Sequence, residues 1–229
     1  MPQEVKALHL GANCYLVRTE DGFVLIDTGI SFRRVALEKA LASAGCKPGN
    51  LKLVILTHGD SDHADNCAYL RGKYGTRIAM HSGDSGMVER GDRSLGRKAR
   101  PDRISIMGRA MISIMGLVMP PSDRPGRFGT FEADIYLEDG QDLSGYGFDA
   151  QVLHLPGHSK GSLGILTGDG DLFCGDLLAN FLRPGLHFMI DDLADLNASV
   201  EKLRKLNIGT VYPGHGGPFP MERFMKNYR

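Results

Sequence analysis

The stretch Leu56–Asn66, LTHGDSDHADN, places two imidazoles (His58, His63) and three carboxylates (Asp60, Asp62, Asp65) within eight residues. In extended backbone, alternate side chains project to one side, so positions 58, 60 and 62 can converge with His63 on a common point. Neutral imidazole and carboxylate are both ligands for zinc and its neighbours. The same residues could instead form a solvated acidic turn, with Asp62 or Asp65 capping the helix that follows.

Three later segments weigh against the turn. His158 stands in LPGHSKGS, Asp176 in LFCGDLL and His215 in VYPGHGGP, each following an apolar run and each beside a glycine. Glycine lets the backbone turn sharply and approach an ion closely. One such residue would mean little. Four strand-end loops carrying imidazole or carboxylate in succession point to a metal site.

The elements that must position these groups are short. NCYLVRTEDGFVLIDTG predicts two strands joined by an Asp21-Gly22 turn. SFRRVALEKALASAG has helical spacing through Val35, Leu37 and Leu41 and stops at Gly45. LKLVILTH reads as a buried strand, ADNCAYLRGKYG as a helix and TRIAMH as a strand. DAQVLHLPGHS, GSLGILTGDGDLFCGD and IGTVYPGHG read as strands leading into polar loops. DLADLNASVEKLRKLN sets Leu193, Leu196, Val200 and Leu203 on one helical face. Alternating strands and helices indicate a layered α/β domain spanning 1–229. The segment from about 88 to 127 breaks the rhythm: nine basic residues stand against four acidic ones. Within it, ISIMGRAMISIMGLVMPP is Met-rich and apolar, with a helix expected before the prolines. It reads as an insertion, either a lid or a homodimer contact.

The 229 residues carry 27 basic and 27 acidic side chains, so no global field points to nucleic acid or membrane. No apolar run is long enough to span a bilayer, and the N-terminus lacks the pattern of a signal peptide. Four scattered cysteines argue against a disulfide framework or a thiolate zinc finger. A cytoplasmic location is expected.

Taken together, these motifs resemble the metallo-β-lactamase superfamily over about residues 5–219. VLIDTG is similar to its first motif, with Asp27. THGDSDH resembles the signature His-x-His-x-Asp-His, and His158, Asp176 and His215 match the third to fifth motifs in order. The resemblance implies an αβ/βα four-layer sandwich, two mixed sheets flanked by helices, with two divalent metal ions at one edge. Carried over, one ion would take His58, Asp60 and His158. The other would take Asp62, His63 and His215, with Asp176 bridging and Asp27 bracing the ligand loops from behind.

Asp60 departs from the pattern, because the family places a histidine there. A third carboxylate adds negative charge and a hard oxygen donor, which favours manganese or iron relative to zinc. It would also make bound water less acidic.

The activity expected is metal-dependent hydrolysis of an ester, thioester or lactone, with Asp62 also moving a proton. The substrate would be a small molecule, anionic or amphiphilic, with His187 as a substrate contact. The 14 residues after His215 leave no room for the helical C-terminal domain with which glyoxalase II binds glutathione. Alternatives are a phosphodiesterase or nuclease, which the basic segment would serve, an iron-dependent redox enzyme, and a metal-binding protein without turnover.

Overall fold

In the computed structural model, which describes residues 4–105, 108–109 and 129–228, the chain begins with three antiparallel strands. These are β1 (Val5–Leu10), β2 (Ala12–Thr19) and β3 (Gly22–Ile26). Thr19 pairs with Gly22, so the turn is Glu20-Asp21, one residue earlier than the sequence suggested. Gly22 opens β3, where a Cβ would lie 2.2 Å from Asn50 O.

Strands β4 (Leu51–Ile55), β5 (Arg77–Met80) and, after the short β6 (Arg103–Ile104), β7 (Ile135–Tyr136) extend that sheet in parallel. The order is β1-β2-β3-β4-β5-β7. The second sheet contains β8 (Ala150–His154), β9 (Leu163–Thr167), β10 (Asp171–Asn180), β11 (Pro184–Leu186), β13 (Thr210–Gly216) and β14 (Phe219–Pro220). Its order is β14-β13-β10-β9-β8, with β11 added on β10. The small strand β12 (Met189–Ile190) pairs with β6.

Three cores separate four layers. Tyr15, Val24, Ile26, Leu53 and Ile55 of the first sheet pack against Val152, Ile165 and Phe173 of the second. Leu25, Val54 and Ile78 face outward onto helices α1 (Arg34–Ser43) and α3 (Cys67–Tyr74). Between these helices lies the single turn α2 (Ser61–Ala64), and α4 (Ser85–Arg90) follows β5. The outer face of the second sheet is covered by α5 (Leu193–Leu203) and α6 (Met221–Asn227). This is the αβ/βα sandwich that the motifs implied.

Two helical faces differ in detail from expectation. Leu37 and Leu41, four residues apart, are buried, but Val35 is 64% exposed. At about 100° per residue, Val35 points roughly opposite Leu37. Leu196, Val200 and Leu203 are buried in α5, while Leu193 is its first, partly exposed residue. Asp192 caps that helix by accepting from Ala194 N and Asp195 N. The Met-rich segment lies mostly outside the described residues, apart from Ile104 in β6, Ser105, Gly108 and Arg109.

Candidate metal centre

The parallel register places the C-terminal ends of β3 and β4 side by side, and β10 pairs in parallel with β13. Asp27 follows β3 and His58 follows β4. Asp176 lies inside β10, where the strand-end reading did not put it. The β10–β13 register shifts on both sides of Gly175, whose φ is +50°. A Cβ there would sit 2.5 Å from Thr57 Oγ1. His215 falls within the last residues of β13.

Asp176 stands among the imidazoles. His63 Nε2 is 3.5 Å from its Oδ1. From Oδ2, His215 Nε2 is 3.4 Å away, His158 Nε2 3.8 Å and His58 Nε2 3.9 Å. Ligand atoms of His58, His158 and Asp176 form one compact group, and those of Asp62, His63 and His215 form another. Asp62 Oδ2 is 3.3 Å from His215 Nε2.

Asp60 lies 3.5 Å from His58 Nε2 and 3.1 Å from His158 Nε2 through its Oδ2. Arg97 Nη2 donates to its Oδ1 at 2.9 Å. His187, expected as a substrate contact, also lies in the cluster. It is buried, with Nε2 3.3 Å from Asp176 Oδ2, in a group with Asp176 and His215. Phe188 packs on its ring at 4.0 Å.

Behind the cluster, hydrogen bonds hold the imidazoles. Asp27 accepts from Thr57 N and Thr57 Oγ1, both at 2.8 Å, and pairs with His63 Nδ1 at 2.8 Å. Thr57 Oγ1 in turn meets His58 Nδ1 at 3.0 Å. Because that hydroxyl donates to Asp27, it accepts from His58 Nδ1–H, leaving the Nε2 lone pair of His58 toward Asp176. His158 Nδ1 is 3.0 Å from Met189 O.

Two further supports escaped the sequence reading. Asp84 is buried and accepts from Gly59 N, Ser159 Oγ and Gly161 N, tying the His58 loop to the His158 loop. Asn13 Nδ2 donates to Pro213 O and Gly216 O, and Tyr15 OH also donates to Pro213 O, gripping the His215 segment. The only available signals were a lone Asp after a strand and a lone Asn at the start of one.

The electrostatics suit a cation. Burial would raise the Asp176 carboxyl, but the surrounding His187, His215 and His63 hold it well below the usual range. Burial is likewise outweighed at Asp62, lowered to about 2 by His63 and His215. Burial would lower His215, yet Asp176 and Asp62 push it up to about 10, and His63 moves the same way beside Asp27 and Asp176. His187, where burial dominates, falls to about 3. His58 Nε2, His63 Nε2, His187 Nε2 and Asp176 Oδ1 are buried without a hydrogen-bond partner among the described residues. Such orphaned atoms are costly in a native interior and are what metal ligands look like without their ion. The residues fit a metal.

The family model of the metallo-beta-lactamase superfamily matches residues 9–215, and the chain belongs to that superfamily. It is 27% identical over 237 residues to the acyl-coenzyme A thioesterase MBLAC2 of Bos taurus, covering 94% of this chain and 76% of that protein. It is 28% identical over 177 residues to the hydroxyacylglutathione hydrolase GloC of Haemophilus influenzae, covering 73% and 69% respectively. Among solved structures, TTHA1623 in a di-iron-bound form superposes with a TM-score of 0.67 at 26% identity, covering 96% of this chain and 95% of that one. The chain is a metal-dependent hydrolase of this superfamily. Among the described residues, no helix is long and apolar enough to cross a membrane.

Proposed function

We propose that the site holds two divalent metal ions and that the chain hydrolyses an acyl thioester, within a wider class of esters and lactones. His58, Asp60 and His158 would hold one ion, and Asp62, His63 and His215 the other, with Asp176 between them. The observation that carries this reading is the set of buried, unpartnered ligand atoms gathered around Asp176. Zinc, manganese and iron are the candidate metals. When bound, the pair would polarise the acyl carbonyl and make a water acidic enough to attack near neutral pH.

The chain's own groups favour a thiol leaving group. Asp62, held ionised by His63 and His215, has no proton to give a leaving group; as a carboxylate it can take one from attacking water, in the role the motif suggests. A thiol loses its proton near pH 8.5, so a thiolate can depart without an acid. An alkoxide, held about as tightly as hydroxide (water pKa about 15.7), needs one. Two of the relatives are named for acyl groups carried on thiols, coenzyme A and glutathione. His187, beside Asp176 and flanked by Phe181 and Phe188, contacts the bound acyl group in this reading.

The phosphodiesterase alternative leans on the basic segment. Among the described residues of that segment, the cation shown at the cluster is Arg97, already committed to Asp60 Oδ1 and His158 O. The substrate is therefore read as a small anionic or amphiphilic molecule.

Metal-reconstituted protein should release free thiol from a panel of acyl-coenzyme A and acylglutathione thioesters faster than alcohol from matched oxoesters. Asp62→Asn should lower kcat at least a hundredfold while retaining the fold. Thiol release no faster than that of an Asp176→Ala variant would overturn the reading.

A further inference from the structure

Arg97 belongs to the basic segment that stands apart from the scaffold in sequence, yet its side chain is only 9% exposed. Nη2 donates to Asp60 Oδ1 at 2.9 Å and Nη1 donates to His158 O at 2.8 Å. Lys98, the next residue, anchors the segment: its N–H donates to the buried Asp191 carboxylate at 3.0 Å. Its Nζ reaches Asp102 and Asp192, both at 2.9 Å. The backbone N–H groups of Asp191 and Asp192 both donate to Gly157 O, immediately before His158. Arg97 is therefore locked onto the frame that carries His158.

The geometry divides the two oxygens of Asp60. Oδ1 is taken by Arg97, and Oδ2 faces His58 Nε2 and His158 Nε2 at 3.5 and 3.1 Å. Ligand bonds of about 2.1 Å in a tetrahedral site leave neighbouring ligand atoms roughly 3.4 Å apart. The 3.5 Å separation matches that spacing, and the 3.1 Å one, a hydrogen-bond distance as it stands, lies close to it. Arg97 thus leaves one oxygen for an ion and blocks the bidentate binding that harder, higher-coordination cations use.

We propose that Arg97 and Asp60 act as one unit, in which Asp60 binds the first metal through Oδ2 while Arg97 cancels the charge that Asp60 adds. A monodentate carboxylate with its counter-charge built in is, to the ion, close to a neutral imidazole. The site then has three carboxylates but the net charge of two, and its preference for zinc over manganese is restored. This rests on the dinuclear site proposed above, but binding measurements test it independently of turnover.

The test measures zinc and manganese affinity by chelator competition, and stoichiometry by elemental analysis, in wild type, Arg97→Met, Arg97→Lys, Asp60→Ala and the double variant Asp60→His/Arg97→Met. Arg97→Met should raise the manganese-to-zinc affinity ratio at least tenfold, because both carboxylate oxygens become available and a negative charge is uncovered. Arg97→Lys should fall between it and wild type. Asp60→Ala should weaken the first ion by about 10–100-fold, and Asp60→His/Arg97→Met should recover two ions with a zinc-favouring ratio. A ratio unchanged in Arg97→Met, or wild-type affinity for both ions in Asp60→Ala, overturns the proposal. Circular dichroism on each variant separates misfolding from lost binding, and the double variant tests the pair even if Asp60→Ala does not fold. Two ions bound with the expected ratios but no thioester cleaved would sink the hydrolytic reading and leave the Asp60–Arg97 unit standing.

Discussion

Asp27 Oδ2 and His63 Nδ1 lie 2.8 Å apart, both fully buried, and Asp27 adopts a left-handed backbone with φ of +58°. Among the described residues it is the only non-glycine with positive φ. Such a conformation persists only where surrounding contacts over-determine it. Here the contacts are Thr57 N, Thr57 Oγ1 and His63 Nδ1, all converging on one carboxylate. The strained residue thereby aims His63 Nε2 at Asp176.

Asp27→Ala should cost about 3 kcal/mol or more, since it strands three buried donors and replaces a residue type that tolerates left-handed backbone. Metal affinity should fall about 10–100-fold. Chemical denaturation and metal titration check the two effects; a variant as stable as wild type would refute the bracing role.

Asp84→Ala removes the shared acceptor of Gly59 N, Ser159 Oγ and Gly161 N. Stability should fall by about 2–4 kcal/mol, and activity should fall with it because the His58 and His158 loops lose their common anchor. Asp84→Asn keeps part of the acceptor capacity and should land between. Equal activity in all three proteins would show that the loops hold their places without it.

At Gly214 a Cβ would lie 2.2 Å from Asp176 Oδ1 and 2.8 Å from His63 Cε1. Gly214→Ala should therefore displace the central carboxylate and reduce bound metal, while the three apolar cores stay intact. Elemental analysis beside a thermal melt separates the two, and full metal content in Gly214→Ala would contradict the crowding.

Metal removal should make stability depend on alkaline pH. His215 rises from 6.5 to about 10 in the folded protein without metal. A raised pKa contributes stability fully below the unfolded value, and that contribution is lost as pH rises through about 10. The metal-free protein should lose thermal stability between pH 7 and 10 more steeply than the loaded one. Because a ligating imidazole must shed its proton, metal uptake at pH 8 should also release protons. Calorimetry in buffers of different ionisation enthalpy measures that release, and none at pH 8 would count against the shift.

The sequence by itself determined the superfamily, the layered fold and the cluster of His58, Asp62, His63, His158, Asp176 and His215. Residue type, glycine neighbours and the apolar run before each are local properties, and local properties survive in a one-dimensional reading. Val35 shows where that reading falters: an apolar residue near a helix start was read into the helical spacing with Leu37 and Leu41, but its angular position sends it outward. Asp84, Asn13 and Arg97 were invisible for a different reason. Each is one polar residue whose partner is far along the chain: 25 residues for Asp84 to Gly59, 37 for Arg97 to Asp60 and 200 for Asn13 to Pro213. Only folding the chain into two packed sheets creates those contacts. Tertiary structure also decided what Asp60 carries into the site, because its charge meets a guanidinium that arrives from a segment with no motif of its own.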